Sequence, residues 1–196
     1  LAIGSGKPRD INPKGRDLQG IHFAMDFLSH EIKSQSGELK SGEEKITAKD
    51  KHVLVIGGGD TGSDCVGTSV RQGAKSVTQI EIMPKPPVGK NPSTPWPSPY
   101  PQILKTSSSH EEGCTRRWLL NTISFMGEDG KVKEAMAEEV IWQKGADNKF
   151  SMVSSGNKEI LKADLVLLAL GFVHPVHEGL LTQLGINYDM RGNVAV

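Results

Sequence analysis

This chain of 196 residues is short of several things, and each shortage excludes a class of function. It has two cysteines, Cys65 and Cys114. They stand too far apart to form a Cys-x-x-Cys redox pair or a metal-ligand cluster, and Cys65 reads as a small buried apolar residue. No metal site is expected. Charge excess is missing too, since Lys plus Arg and Asp plus Glu both number 23. A nucleic-acid binder clusters cations on one face, so nucleic acid is not expected as a partner. The longest largely apolar stretch, Ala163 to Val173, spans eleven residues with Asp164 among them, whereas a bilayer crossing needs about 20. No basic region followed by an apolar run opens the chain, so the expected compartment is the cytoplasm, with no membrane contact.

What the chain does have is organised around one stretch. Val53-Leu54-Val55-Ile56 is an unbroken apolar run that leads into Gly57-Gly58-Gly59-Asp60-Thr61-Gly62, and a helix-compatible segment from Ser63 to Arg71 follows at once. The order strand, Gly-x-Gly-x-x-Gly turn, helix is the fingerprint of a dinucleotide site. Gly57 would allow the tight turn, Gly59 would let the backbone approach a pyrophosphate, and Gly62 would let helix and strand pack closely. The free N–H groups and positive dipole end of the helix would face the anion. A second apolar strand, Ser76 to Ile82, carries Glu81 nineteen residues after Gly62, near where such folds place an acid for the ribose. Asp60 and Thr61, at the helix start, suit either the coenzyme or a capping role.

The rest is punctuated by local signals. The chain opens on Leu1-Ala2-Ile3-Gly4-Ser5-Gly6, which reads as a strand cut at its beginning and suggests an excised fragment. Ile21, Ala24, Met25 and Leu28 fall at helical spacing, and Ser34 to Lys49 reads as a polar connection. His22 and His30 read as surface or packing residues. Met83 to Pro101 holds eight prolines in nineteen residues with Trp96 and Tyr100, a density that excludes helix and central strand and predicts an extended loop. His110-Glu111-Glu112-Gly113 lacks metal-ligand spacing and reads as a loop or helix start. Trp118 to Phe125, the Gly127-Glu128-Asp129-Gly130 turn and Lys131 to Gln143 predict an antiparallel hairpin, extended by Phe150 to Val153 and Glu159 to Leu161 into a meander. Ala163 to Gly171 predicts a buried central strand, and Glu178 to Leu184 a short helix before a last strand at Val196.

The glycine turn with Ser63-Asp64-Cys65 and Gly67-Thr68-Ser69, then Glu81-Ile82-Met83-Pro84-Lys85-Pro86-Pro87 and Asn91-Pro92 with Pro95-Trp96-Pro97, resembles the small (beta) subunit of bacterial glutamate synthase. Gly4 to Asp10, His22 to Leu28, the segment from His110 and Leu170-Gly171-Phe172 are similar to that family as well. The resemblance covers nearly the whole chain. It implies an α/β fold, a Rossmann-like parallel sheet with an antiparallel β-meander in three layers, inserted into a truncated FAD-binding domain. Residues 1–20 would be a stub of the FAD domain and a linker, 21–171 the NAD(P)H-binding domain, and 172–196 a stub returning to the FAD domain. The expected cofactor-binding residues are Gly57, Gly58, Gly59, Asp60, Thr61, Gly62, Glu81, Lys85, Gly4 and Gly171.

The flavin-binding glycine motifs and iron–sulfur cysteine sets of the family are absent from this sequence. The resemblance therefore implies FAD and iron–sulfur clusters elsewhere in the intact complex, with an incomplete FAD site and no turnover here. It also implies hydride transfer from nicotinamide to flavin and a large subunit that makes glutamate, with no catalytic side chain required. Bacterial members mostly use NADPH, and Lys85 is placed to meet a 2′-phosphate. Glu81 would instead repel that phosphate and favour NADH. The alternatives are another flavoprotein reductase, pyrimidine dehydrogenase-like or ferredoxin-linked, and a nucleotide-binding regulator without electron transfer.

Overall fold

The computed structural model describes residues 3–40, 42–89, 103–145 and 148–195. Most of the proline-rich loop, with Trp96 and Tyr100, lies outside the described residues. The elements in chain order are β1 (Lys7–Pro8), β2 (Ile21–Phe23), α1 (Ala24–Ser36), β3 (His52–Ile56), α2 (Asp60–Arg71), β4 (Ser76–Glu81), α3 (Ser108–Glu111), β5 (Thr115–Trp118), β6 (Leu120–Glu128), β7 (Lys131–Lys144), β8 (Phe150–Lys162), β9 (Leu165–Leu168), β10 (Phe172–His174) and α4 (Leu180–Gln183). Their contacts divide the chain into two compact units, Leu1–Ile11 with Leu170–Val196, and Asn12–Ala169.

The larger unit is built on a parallel sheet in the order β2-β9-β3-β4-β5. Val53 to Ile56 and Leu165 to Leu168 are buried on both faces, as continuous apolar runs in central parallel strands must be. Alternation then sorts their side chains into two cores. Val53, Val55, Leu165 and Leu167 pack with Phe27 of α1 and with Cys65 and Val66 of α2. Each such aliphatic side chain contributes about 2 kcal/mol by leaving water. The antiparallel sheet β6-β7-β8 forms the third layer, with β7 touching β9 and β8 touching β3. It supplies its own buried positions, among them Phe125, Val132, Ala135 and Val140. Residues 12–20 join this unit through bridges from Lys14 to Ser124 and from Gln19 to Lys131. The contact boundaries thus fall at Ile11/Asn12 and Ala169/Leu170.

The smaller unit pairs β1 with β10 antiparallel. Its second segment stacks His177 between His174 and Tyr188, with ring centroids 4.3 and 3.9 Å apart. Pro175 follows β10 directly, and Tyr188 bridges to Val194 near the end.

Several local expectations are corrected. Ile21–Phe23 is an edge strand paired parallel with Val166–Leu168, and the helix begins only at Ala24. Three apolar-to-mixed residues fit either period, and sheet pairing with β9 decided it. Trp118 closes the parallel strand β5 rather than opening the hairpin. Leu119, at φ 60°, makes the break between the two sheets. The two segments expected at 150–153 and 159–161 form one strand, Phe150–Lys162. The polar residues between them face water on an exposed antiparallel sheet, where polarity does not end a strand.

Candidate nucleotide-binding site

The carboxyl ends of β3 and β4 and the start of α2 converge on one cavity of about 590 Å³. That position, outside the carboxyl ends of parallel strands, is where open α/β sheets hold their ligands. The glycine turn makes its floor. Gly57 has φ 124°, and a Cβ there would run into the Ala169 carbonyl. A Cβ on Gly62 would run into the Gly57 carbonyl and lie 2.8 Å from Gln79 Nε2. Both positions therefore need glycine for the chain to pass. Gly59 differs, because its Cβ would meet nothing within 4 Å. It is the N-cap of α2, and no side chain caps that helix. The first-turn N–H groups of a helix have no internal partner, so an uncapped end beside open space is a ready anion cradle. The pyrophosphate of a dinucleotide fits this donor set.

Glu81 is tied to the turn. Its Oε2 accepts from the Gly58 N–H at 2.6 Å and its Oε1 from the Met83 N–H at 3.2 Å. Gly58, Gly59, Asp60 and Glu81 all line the cavity, while Thr61 sits within the first turn of α2. Lys85 is placed otherwise: its Nζ stands 5.1 Å from the centroid of Trp118, a cavity-lining ring. Gly4 and Gly171 lie in the smaller unit, where the Gly171 carbonyl accepts from the Arg9 N–H at 2.9 Å. Among the described residues no group of three or more His, Cys, Asp or Glu is placed to hold a metal ion. The Cys65 thiol is pushed up to about 12 by burial, then by the Asp64 charge. Such a thiol is inert at neutral pH.

Sequence reasoning missed a polar chain beneath the turn. Gln79 is 2% exposed in the middle of β4. Its Nε2 donates to the Gly57 carbonyl at 2.9 Å, which leaves Oε1 as an acceptor. His110 Nε2, also 2.9 Å away, must therefore donate to it. The same ring takes Ser107 at Nδ1, 3.2 Å from the backbone N–H and 3.0 Å from Oγ. Ser107 in turn shares a hydroxyl hydrogen bond with Ser63 of α2. Burial, followed by the charge of Arg116, holds the His110 pKa below its ordinary value. The neutral Nε2–H tautomer is the one this chain of bonds needs. One signal was available: Gln79 interrupts an apolar strand two residues before Glu81, on the same face. His110 comes from a segment 31 residues further on, which reads in sequence as a loop or helix start and carries no sign of a partner in β4. Arg116, whose Nη1 donates to Lys105 O at 3.1 Å and Thr106 Oγ1 at 3.3 Å, and Trp118 complete the wall.

Comparison with known proteins follows the same line. No protein-family model matches the chain. It is 48% identical over 198 residues to the glutamate synthase (NADPH) small chain of Mycobacterium tuberculosis, covering 100% of this chain and 40% of that one. It is 43% identical over 204 residues to the glutamate synthase (NADH) of Schizosaccharomyces pombe, covering 100% of this chain and 10% of that protein. Among solved structures, Mycobacterium tuberculosis FprA in complex with NADPH matches with a TM-score of 0.61 at 17% identity, over 96% of this chain and 51% of that one. That likeness shows the fold. No helix among the described residues is long and apolar enough to cross a membrane. The chain spans 40% of the length of the M. tuberculosis small chain. Along its whole length the chain is similar to the glutamate synthase small chain, and it shares the fold of the FprA structure.

Proposed function

We propose that this chain is the NAD(P)H-binding part of a glutamate synthase small subunit, which in the intact protein delivers hydride from NADPH to FAD. The observation that carries the reading is the uncapped start of α2 at Gly59, open beside the cavity at the ends of β3 and β4. Gly58, Gly59 and the first turn of α2 would hold the pyrophosphate, and Glu81 or a basic neighbour the adenosine ribose. The nicotinamide, once bound, supplies the hydride. The residues of this chain position it and exclude water from it. None is needed as a nucleophile.

On this reading residues 1–20 are a stub of the FAD-binding domain, which holds Gly4, and the linker that leaves it; residues 21–171 are the nucleotide domain, ending at Gly171; and 172–196 return to the FAD-binding domain. The FAD site is completed only by sequence outside this chain, so the chain alone binds nucleotide without turnover. Electrons pass through iron–sulfur clusters elsewhere in a cytoplasmic complex to a large subunit that forms glutamate. The carboxylate of Glu81 beside Gly58 favours a second reading in which NADH is the coenzyme. The test is anaerobic addition of NADPH to the whole subunit carrying this sequence, followed by the flavin absorbance. Bleaching of the oxidised flavin is the expected result. Nucleotide binding with the flavin left oxidised would instead mark a regulatory module.

A further inference from the structure

We propose that Arg116 is the residue that receives the 2′-phosphate of NADPH and so sets the choice between the two coenzymes. This rests on the nucleotide reading of the cavity and goes past it to the specificity-determining group. Among the described residues the cavity wall carries two cations, Lys105 and Arg116, and two carboxylates, Asp60 and Glu81. Lys85, which the sequence offers for the phosphate, does not line it; its ammonium stands over the Trp118 ring.

Arg116 is placed by the sheet. On β5 it pairs with Gln79 of β4, and Trp118 pairs with Glu81. Arg116 is thus one strand over from Glu81 and two residues back. Adjacent strands lie about 4.8 Å apart and two residues span about 6.6 Å, distances that an arginine side chain bridges. The guanidinium is also oriented in advance. Its Cζ is 5.2 Å from the Trp118 centroid, and Nη1 donates to both Lys105 O and Thr106 Oγ1. Nη2 and Nε have no hydrogen-bond partner among the described residues. A planar fork with one edge anchored and the other free is suited to a phosphate, more than a mobile ammonium would be.

Glu81 does not forbid this. Its two oxygens accept from the Gly58 and Met83 N–H groups, so part of its charge is answered by the backbone. Toward a ribose with free hydroxyls it acts as an acceptor, and toward a 2′-phosphate Arg116 supplies the opposing charge. Arg116 makes its charge felt at this end of the molecule, where it helps to lower the His110 pKa after burial.

The experiment is calorimetric titration of the chain, of Arg116→Gln, of Arg116→Lys and of Glu81→Gln with NADPH and NADH separately. Arg116→Gln is expected to lose about tenfold to a hundredfold in NADPH affinity, the loss of a charge-assisted phosphate contact, and to keep its NADH affinity. Arg116→Lys should recover part of the loss, and Glu81→Gln should favour NADPH over NADH more strongly than the unchanged chain does. Equal loss for both coenzymes in Arg116→Gln would overturn the proposal, since it would mean that Arg116 only holds residues 105 and 106 in place. Unchanged NADPH affinity would overturn it too. Binding of neither coenzyme to the unchanged chain would overturn the nucleotide reading, and the proposal with it.

Discussion

The carboxylate of Glu81 holds the backbone N–H of Gly58 at 2.6 Å, joining the end of β4 to the turn after β3 across 23 residues of sequence. A Cβ on Gly58 would sit 2.6 Å from the same oxygen, so the contact itself requires glycine there. The two halves of the dinucleotide fingerprint, the glycine turn and the acid, therefore brace each other directly. Ribose hydroxyls that use Glu81 must share this carboxylate with the turn. On the proposed reading, coenzyme binding would in that way be coupled to the shape of the glycine turn.

Gly59→Val separates binding from folding. Gly59 lies at φ −81° and its Cβ would meet nothing, so the backbone accepts a side chain without strain. The branched side chain would fill the space that the pyrophosphate needs. Loss of calorimetric heat with NADPH and NADH, at an unchanged melting temperature, is the expected result. Normal affinity in a folded variant would remove the pyrophosphate from this turn.

Gln79→Leu should act on stability. It leaves the Gly57 carbonyl and His110 Nε2 without the partner that now serves both. An unsatisfied buried group costs about 1 to 3 kcal/mol, which in a chain of this size is a fall of roughly 3 to 10 °C in melting temperature. Calorimetry would show it. A variant as stable as the parent would mean that the polar chain beneath the turn is replaceable by packing.

His110 gives the fold a dependence on pH with a definite sign. Its folded pKa lies below the ordinary 6.5, because burial and then Arg116 disfavour the charged ring. The contribution is therefore complete above pH 6.5 and is lost as the pH falls through the lower folded value. His22, lowered mainly by burial, adds in the same direction. Glu31 and Asp164 are held below their ordinary 4.5 and 3.8, so they act only in stronger acid. Urea midpoints should fall on acidification from neutral pH, with a shallower fall in His110→Gln. An equal slope in the variant would assign the whole effect to His22.

The central strand, the glycine turn and its helix were legible because each is a local pattern. Val53 to Ile56 can only be buried on both faces, and the spacing of Gly57, Gly59 and Gly62 answers to sterics within a few residues. The acid at Glu81 was legible for the same reason, as the end of the next strand. What the sequence by itself determined was this framework of strand, turn, helix, strand, together with the antiparallel meander.

Tertiary structure decided everything that needed a distant partner. Ile21–Phe23 is too short to show a period, and only pairing with Val166–Leu168 makes it a strand. Trp118 could belong to either sheet until Leu119 turned the chain between them. His110 came to lie under the turn because α3 packs beside α2 and places its ring against Gln79. Arg116 reached the cavity through register with β4, and Lys85 settled on Trp118 instead. Side-chain polarity announces that a group needs a partner, but which partner it finds depends on strand order and register, and these are set by the burial of the whole sheet.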